Sequence, residues 1–141
     1  MSLTAFAFTL AAALYTGFQW TVRVVVYPQF AEVPATAFAA YEARHQQRIS
    51  LAVGPLFLAL GVTAILLFTF PPAGVSRWWT VAPGACVAVI LGVTAFLAVP
   101  LHRALSDGFD AATHRRLLRV DAVRLSTAVV ATVLGVVFTL A

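Results

Sequence analysis

The chain has 141 residues, of which 62% are hydrophobic and only 10% charged, against about 25% charged in soluble domains. A mean hydropathy of +0.95 and apolar stretches such as Ser50–Phe70 and Thr80–Pro100 exclude a disordered chain, a secreted disulfide scaffold and a soluble enzyme. They leave one compact domain, residues 1–141, in a lipid bilayer.

A helix needs roughly 20 apolar residues to cross a hydrocarbon core of about 30 Å, and four stretches qualify. The first, Leu3–Val26, has no Lys or Arg before Arg23. A cleaved signal peptide begins with a basic region, so this stretch reads as a retained first helix. Its far end, GFQWTVRVVVYP, carries Gln19 and Arg23 at i,i+4 on one face, and polar groups inside apolar helices face the bundle interior. The second stretch is Leu51–Phe70. The segment before it, ATAFAAYEARHQQRIS after Pro34, has no Gly or Pro and is expected to extend the second helix as a stem.

On that stem Tyr41, His45 and Arg48 recur at i, i+4 and i+7, while Glu42 and His45 form Glu-x-x-His, the spacing used by di-iron carboxylate bundles. The third stretch, Trp79–Pro100, holds the single cysteine, Cys86, at mid-span, so no intramolecular disulfide forms. It ends in AVPLHRALSDGFDAATHRRLLRVDAVR, with His102 at the membrane boundary. A short interfacial helix capped by Asp107 or Asp110, with Asp110 and His114 at i,i+4, is expected before the fourth stretch, Val120–Leu140. That stretch opens with Asp121 and Arg124 at i,i+3, placed to pair with each other or with the first helix.

The expected fold is an all-α membrane protein, an antiparallel four-transmembrane-helix bundle. In an up-down-up-down bundle the end of the third helix meets the start of the second, so His45 and His102 converge. Gly54, Gly61, Gly84, Gly92 and Gly135 permit close helix contact, within one subunit or in a homo-oligomer.

All nine basic residues are arginine, and eight of them, all but Arg77, fall on one side of such a bundle. Positive-inside reasoning puts both termini outside and the segments 27–50 and 101–119 in the cytoplasm. Juxtamembrane arginines answer to topology and anionic lipid, so nucleic acid is not an expected partner. Glu32, Glu42, Asp107, Asp110, Asp121, His45, His102 and His114 lie on the same side, which positive-inside reasoning does not require. They suggest a polar pocket at the cytoplasmic end, with His45 and His102 at its centre and Tyr41, Glu42, Arg23, Arg124, Asp121 and His114 around them.

YPQFAEV, FAAYEARHQQRI and AVPLHRALSDGFDAATHRRLLRVDAVR together resemble the small four-span membrane proteins grouped with the anthrone oxygenases. The points of contact are Tyr27-Pro28, Tyr41 and His45 on the stem, Pro55, the turn from Pro100 to His102, and Arg124. The resemblance implies an oxygenase that takes polyketide anthrones to anthraquinones with dioxygen, and a bacterial inner-membrane setting.

Such a reaction needs a base, an apolar cavity for a flat aromatic substrate, and dioxygen, which partitions into lipid. His45 or His102 is the candidate base, with Tyr41 and Arg124 in the same catalytic set. Arg23 or Arg48 is the candidate oxyanion stabiliser, and Phe18, Trp20, Phe30 and Phe38 are candidate cavity walls. A second version places copper or iron on His45 and His102 with Glu42, His114 or Asp121, since imidazole suits both metals. The rival class is a non-catalytic membrane module: a haem anchor on two facing histidines, a quinone anchor, or an accessory subunit.

Overall fold

The computed structural model describes residues 2–141, all helix and connecting turns. The first rod is α1 (Leu3–Thr21), a π-helical turn (Val22–Val26) and α2 (Tyr27–Phe30). The second is α3 (Ala35–Thr69), unbroken through the stem and through Pro55. The third is α4 (Val81–Val93), a second π-helical turn (Thr94–Ala98) and α5 (Val99–Leu105), and the fourth is α6 (Ala111–Leu140). Three of these helical runs, Ala35–Thr69, Val81–Leu105 and Ala111–Leu140, are long and apolar enough to cross a membrane.

Periodicity sets which face of each rod is covered. Among the buried residues of α1, Ala5, Phe8, Ala12, Tyr15 and Gln19 fall at alternating spacings of three and four, and among those of α6, Leu117, Asp121, Arg124, Ala128, Ala131, Gly135 and Phe138 do the same. The opposite faces carry exposed Leu3, Phe6, Leu10, Leu14, Val130, Val133 and Val137. A soluble bundle would place charges there; a lipid-facing one has no need of them.

Neighbouring rods run in opposite directions. Thr9 meets Thr139 and Thr16 meets Thr132 through their hydroxyls, while Gln19 meets Asp121, so α6 descends as α1 rises. Likewise Thr4 donates to Phe70 O, and the Tyr15 ring packs at a tilt against Phe57. Two apolar clusters result. One gathers Phe8, Tyr15, Leu60, Leu67, Ile90 and Phe138, and the other gathers Val22, Tyr27, Phe30, Phe38, Leu105 and Leu117.

Each π turn answers to a proline. Proline at position i lacks an N–H and its ring crowds the carbonyl of i−4; for Pro28 and Pro100 these are Val24 and Phe96, both inside the π turns. The chain adopts i→i+5 bonding at both places, with Tyr27 N–H on Val22 O and Val99 N–H on Thr94 O.

The expected interfacial helix is corrected. Asp110 caps α6 itself, its carboxylate accepting Thr113 N–H at 2.6 Å, and the helix runs on without a break to Leu140. From Ala111 to Leu134 there is neither Gly nor Pro, and the switch from arginine-rich to apolar at Val120 does not interrupt backbone bonding. Hydrogen bonds from Thr113 hold the Asp110 carboxyl below its usual range. The cap is therefore in place at neutral pH and is lost only as pH falls through that lowered value.

Of the glycines expected to allow close contact, only Gly135 is crowded. A Cβ there would stand 2.7 Å from Thr9 Oγ1 and 3.0 Å from Thr9 Cα, whereas Gly54, Gly61, Gly84 and Gly92 have nothing within 4 Å. Thr9 cannot turn aside, since its hydroxyl is held by Ala5 O at 2.8 Å and Thr139 at 2.9 Å. Gly135→Val is expected to lower unfolding free energy in detergent by about 1–3 kcal/mol through overpacking. Gly61→Ala should be neutral or stabilise by up to about 1 kcal/mol. Equal effects at the two sites would remove the close crossing of α1 and α6.

Candidate functional site

Between the two apolar clusters lies a layer of polar side chains, most of them buried, drawn from all four rods. Asp121 is completely buried. Its Oδ1 accepts from Gln19 Nε2 and, at 3.1 Å, from Arg124, and its Oδ2 faces Arg23 at 3.4 Å. The same Arg124 guanidinium donates to the Tyr27 hydroxyl at 3.0 Å. That hydroxyl lies 3.2 Å from His102 Nε2, and His102 Nδ1 lies 2.6 Å from Oε1 of Glu42, itself completely buried. Gln46 closes the far end, donating to Glu42 Oε1 at 3.2 Å and to Ser106 Oγ at 2.8 Å.

Proton positions follow from the donors. Arg124 donates only, so the Tyr27 oxygen accepts from it and its own hydrogen is free to point at His102 Nε2. His102 then presents Nδ1–H to the Glu42 carboxylate. Tyr27, His102 and Glu42 thus stand in the order hydroxyl, imidazole, carboxylate, the arrangement by which a hydroxyl can lose its proton to a supported imidazole.

This layer forms part of the wall of a cavity of about 250 Å³, lined by Tyr27, His102, Arg124, Gln19 and Gln46 on one side and by Phe18, Val22, Ile49, Val53, Phe57 and Ala98 on the other. The volume is just under the range of about 300–1,000 Å³ usual for drug-sized ligands. Val22 in the first π turn and Thr94 and Ala98 in the second both line it; π turns are frequent at functional sites. Two polar atoms remain without partners in this layer, Arg124 Nε and Glu42 Oε2.

The residues singled out from sequence divide. His45 and His102 do meet, rings stacked with centroids 5.5 Å apart. Only His102 lines the cavity. His45 packs edge-on against Phe30 at 4.9 Å with its Nε2 buried and unpartnered, and with Tyr41, Arg44 and Arg48 it lines a separate recess of about 280 Å³. His114 is buried elsewhere, its Nε2 2.9 Å from Tyr27 O, where it steadies the backbone at the tyrosine. Arg23 lies outside the cavity, bonded to Leu118 O at 3.1 Å and to Asp121; Arg124 holds the place expected of Arg23 or Arg48. Of the four aromatics expected as cavity walls, only Phe18 is one. Trp20 is 60% exposed, and Phe30 and Phe38 are sealed in the apolar cluster.

Tyr27 and Gln46 line the cavity but do not stand out as site residues in the sequence. A tyrosine at the end of an apolar helix reads as an interfacial belt residue, and the signal that marks it is the paired Tyr27-Pro28 and Val99-Pro100 steps. Gln46 shows itself only as the i+4 neighbour of Glu42.

The expected metal ligands do not form a set. Among the described residues no three His, Cys, Asp or Glu side chains gather to hold an ion. Both nitrogens of His102 face Glu42 and Tyr27, and both oxygens of Asp121 face donors. The residues as placed therefore do not fit copper or iron. Haem fits no better, because imidazoles stacked face to face do not point their nitrogens at an iron between them. No protein-family model, curated protein or solved structure matches the chain.

Proposed function

We propose that this is an integral membrane oxidoreductase of the oxygenase type, acting without a resident metal on a small, flat, hydrophobic substrate with an acidic C–H. The observation that carries it is the Tyr27–His102–Glu42 series beside Arg124, on the wall of an otherwise apolar cavity. Tyr27 passes its proton to His102, which becomes an imidazolium next to Glu42. The phenolate then takes the substrate proton, and the Arg124 guanidinium carries the charge that develops on oxygen. The carbanion is oxidised by dioxygen from the lipid. For a methylene of the anthrone type the balance is CH2 + O2 → C=O + H2O, four electrons leaving carbon and four reducing dioxygen.

In this reading all four rods cross the bilayer as one antiparallel bundle, with the stem and the first turns of α6 in the cytoplasm of a bacterial cell and both termini outside. In a Cys86→Ala background, Asp107→Cys should be labelled only from the cytoplasmic side and Val75→Cys only from the other; labelling of both from one side would overturn the arrangement.

The function is tested by adding an anthrone to the protein in lipid nanodiscs and following oxygen uptake and quinone absorbance. Uptake of one dioxygen per anthrone, unaffected by a chelator, is expected. A second reading is a quinone-binding module, since the Tyr27 hydroxyl and the Arg124 guanidinium also suit a quinone carbonyl. Saturable quinone binding without oxygen uptake would replace the first reading with that one.

A further inference from the structure

α6 presents a second polar feature on the flank that borders the third rod. Arg116 and Arg119, one turn apart and both exposed, take part in none of the three ion pairs among the described residues, which join Arg23 and Arg124 to Asp121 and His102 to Glu42. Their side chains border an open groove of about 410 Å³ between the third rod and α6. Its floor is apolar, made by Phe96, Leu97, Leu101 and Val120.

The level of this groove matters. The apolar stretch of the third rod ends at Leu101, just before His102 and Arg103, and that of α6 begins at Val120. The arginines therefore stand where the hydrocarbon gives way to headgroups, and the floor runs from them into the hydrocarbon, with Phe96 79% exposed along it. Two unpaired guanidiniums above an apolar channel match one kind of molecule, with a phosphate at one end and a hydrocarbon chain at the other. A free anion would leave the channel uncovered, and a zwitterionic lipid would offset the phosphate with its own cation.

We propose that this groove is a specific site for one anionic phospholipid, its phosphate held between Arg116 and Arg119 and an acyl chain lying along Leu97 and Phe96. A lipid there bridges the third rod to α6 on the outside, behind His102 and Asp121. The proposal rests on these helices crossing the bilayer and is independent of the cavity chemistry.

The test compares thermal unfolding in nanodiscs of phosphatidylcholine alone and of phosphatidylcholine with phosphatidylglycerol, alongside native mass spectrometry of the unaltered chain. Phosphatidylglycerol should raise Tm by roughly 5–10 °C, the scale for one well-filled site in a chain of this size, and should be retained as a single adduct where phosphatidylcholine is not. Arg116→Gln with Arg119→Gln should abolish the rise. Arg44→Gln with Arg48→Gln, an equal change of charge on the stem, should keep it. Loss of the rise in both double variants would show surface charge alone and overturn the site, as would the same gain from inorganic phosphate in phosphatidylcholine discs. If the Arg116 and Arg119 variant does not fold, equal retention of both lipids by the unaltered chain overturns it instead. Failure of the chain to enter nanodiscs at all would strike the membrane reading, not the lipid preference.

Discussion

Asp121→Ala is expected to cost about 3–5 kcal/mol of stability, the penalty for removing one partner of a buried ion pair. The carboxylate is completely buried and accepts from Gln19, Arg23 and Arg124. Without it the Arg124 guanidinium, whose side chain is 8% exposed, keeps its charge away from water with only the Tyr27 phenol as a hydrogen-bond partner. Arg124→Ala should cost a similar amount. The double change of Asp121→Leu with Arg124→Met should cost much less than the sum, because removing both charges also removes their desolvation. Arg23→Gln should cost no more than about 1 kcal/mol, since that side chain is 37% exposed and screened by solvent. Denaturant titrations in mixed micelles measure all four, and additive single and double effects would contradict a buried pair.

Tyr27→Phe should lower oxygen uptake by about 10²–10⁴-fold, the usual worth of a general acid or base, while costing only about 1 kcal/mol in stability for its lost hydrogen bonds. His102→Ala should fall by a similar factor. Glu42→Gln tests a positioning residue. Its amide can still accept from His102 Nδ1, but it no longer supports an imidazolium, so turnover should fall and its pH profile should shift while substrate binding holds. His45→Ala should leave turnover within a few-fold of the original, because its ring lies outside the cavity and its Nε2 bonds to nothing. A large loss at His45 with none at Tyr27 would reverse the assignment of the base.

The long helices were legible because unbroken apolar runs and the absence of Gly and Pro between Ala35 and Ser50 speak directly to backbone hydrogen bonding. The same rule, applied evenly, would have joined residues 111–119 to the fourth helix. Polarity at Arg115, Arg116 and Arg119 marks a change of solvent, not a change of backbone. The i,i+3 spacing of Asp121 and Arg124 offered a pair within the helix or one with the first helix, and the structure makes both at once. What spacing could not show was which histidine lines the cavity. His45 and His102 are equivalent as residues, and only packing against Phe30 separates the histidine that faces a cavity from the one that does not.

The two π turns set the rotational phase of the site. A residue added to or removed from a straight α-helix turns everything beyond it by about 100°. Each π turn acts as one such added residue, so Tyr27 and His102 owe the direction they face to the extra residue upstream of each. A chain lacking one valine within Val22–Val26 would keep almost the same hydropathy and all of its polar side chains, yet Tyr27 would be turned away from His102. The capacity for chemistry here is thus a property of register along two helices, and a neighbouring sequence with every polar residue intact but one residue fewer before Pro28 or Pro100 would carry the same groups without the same site.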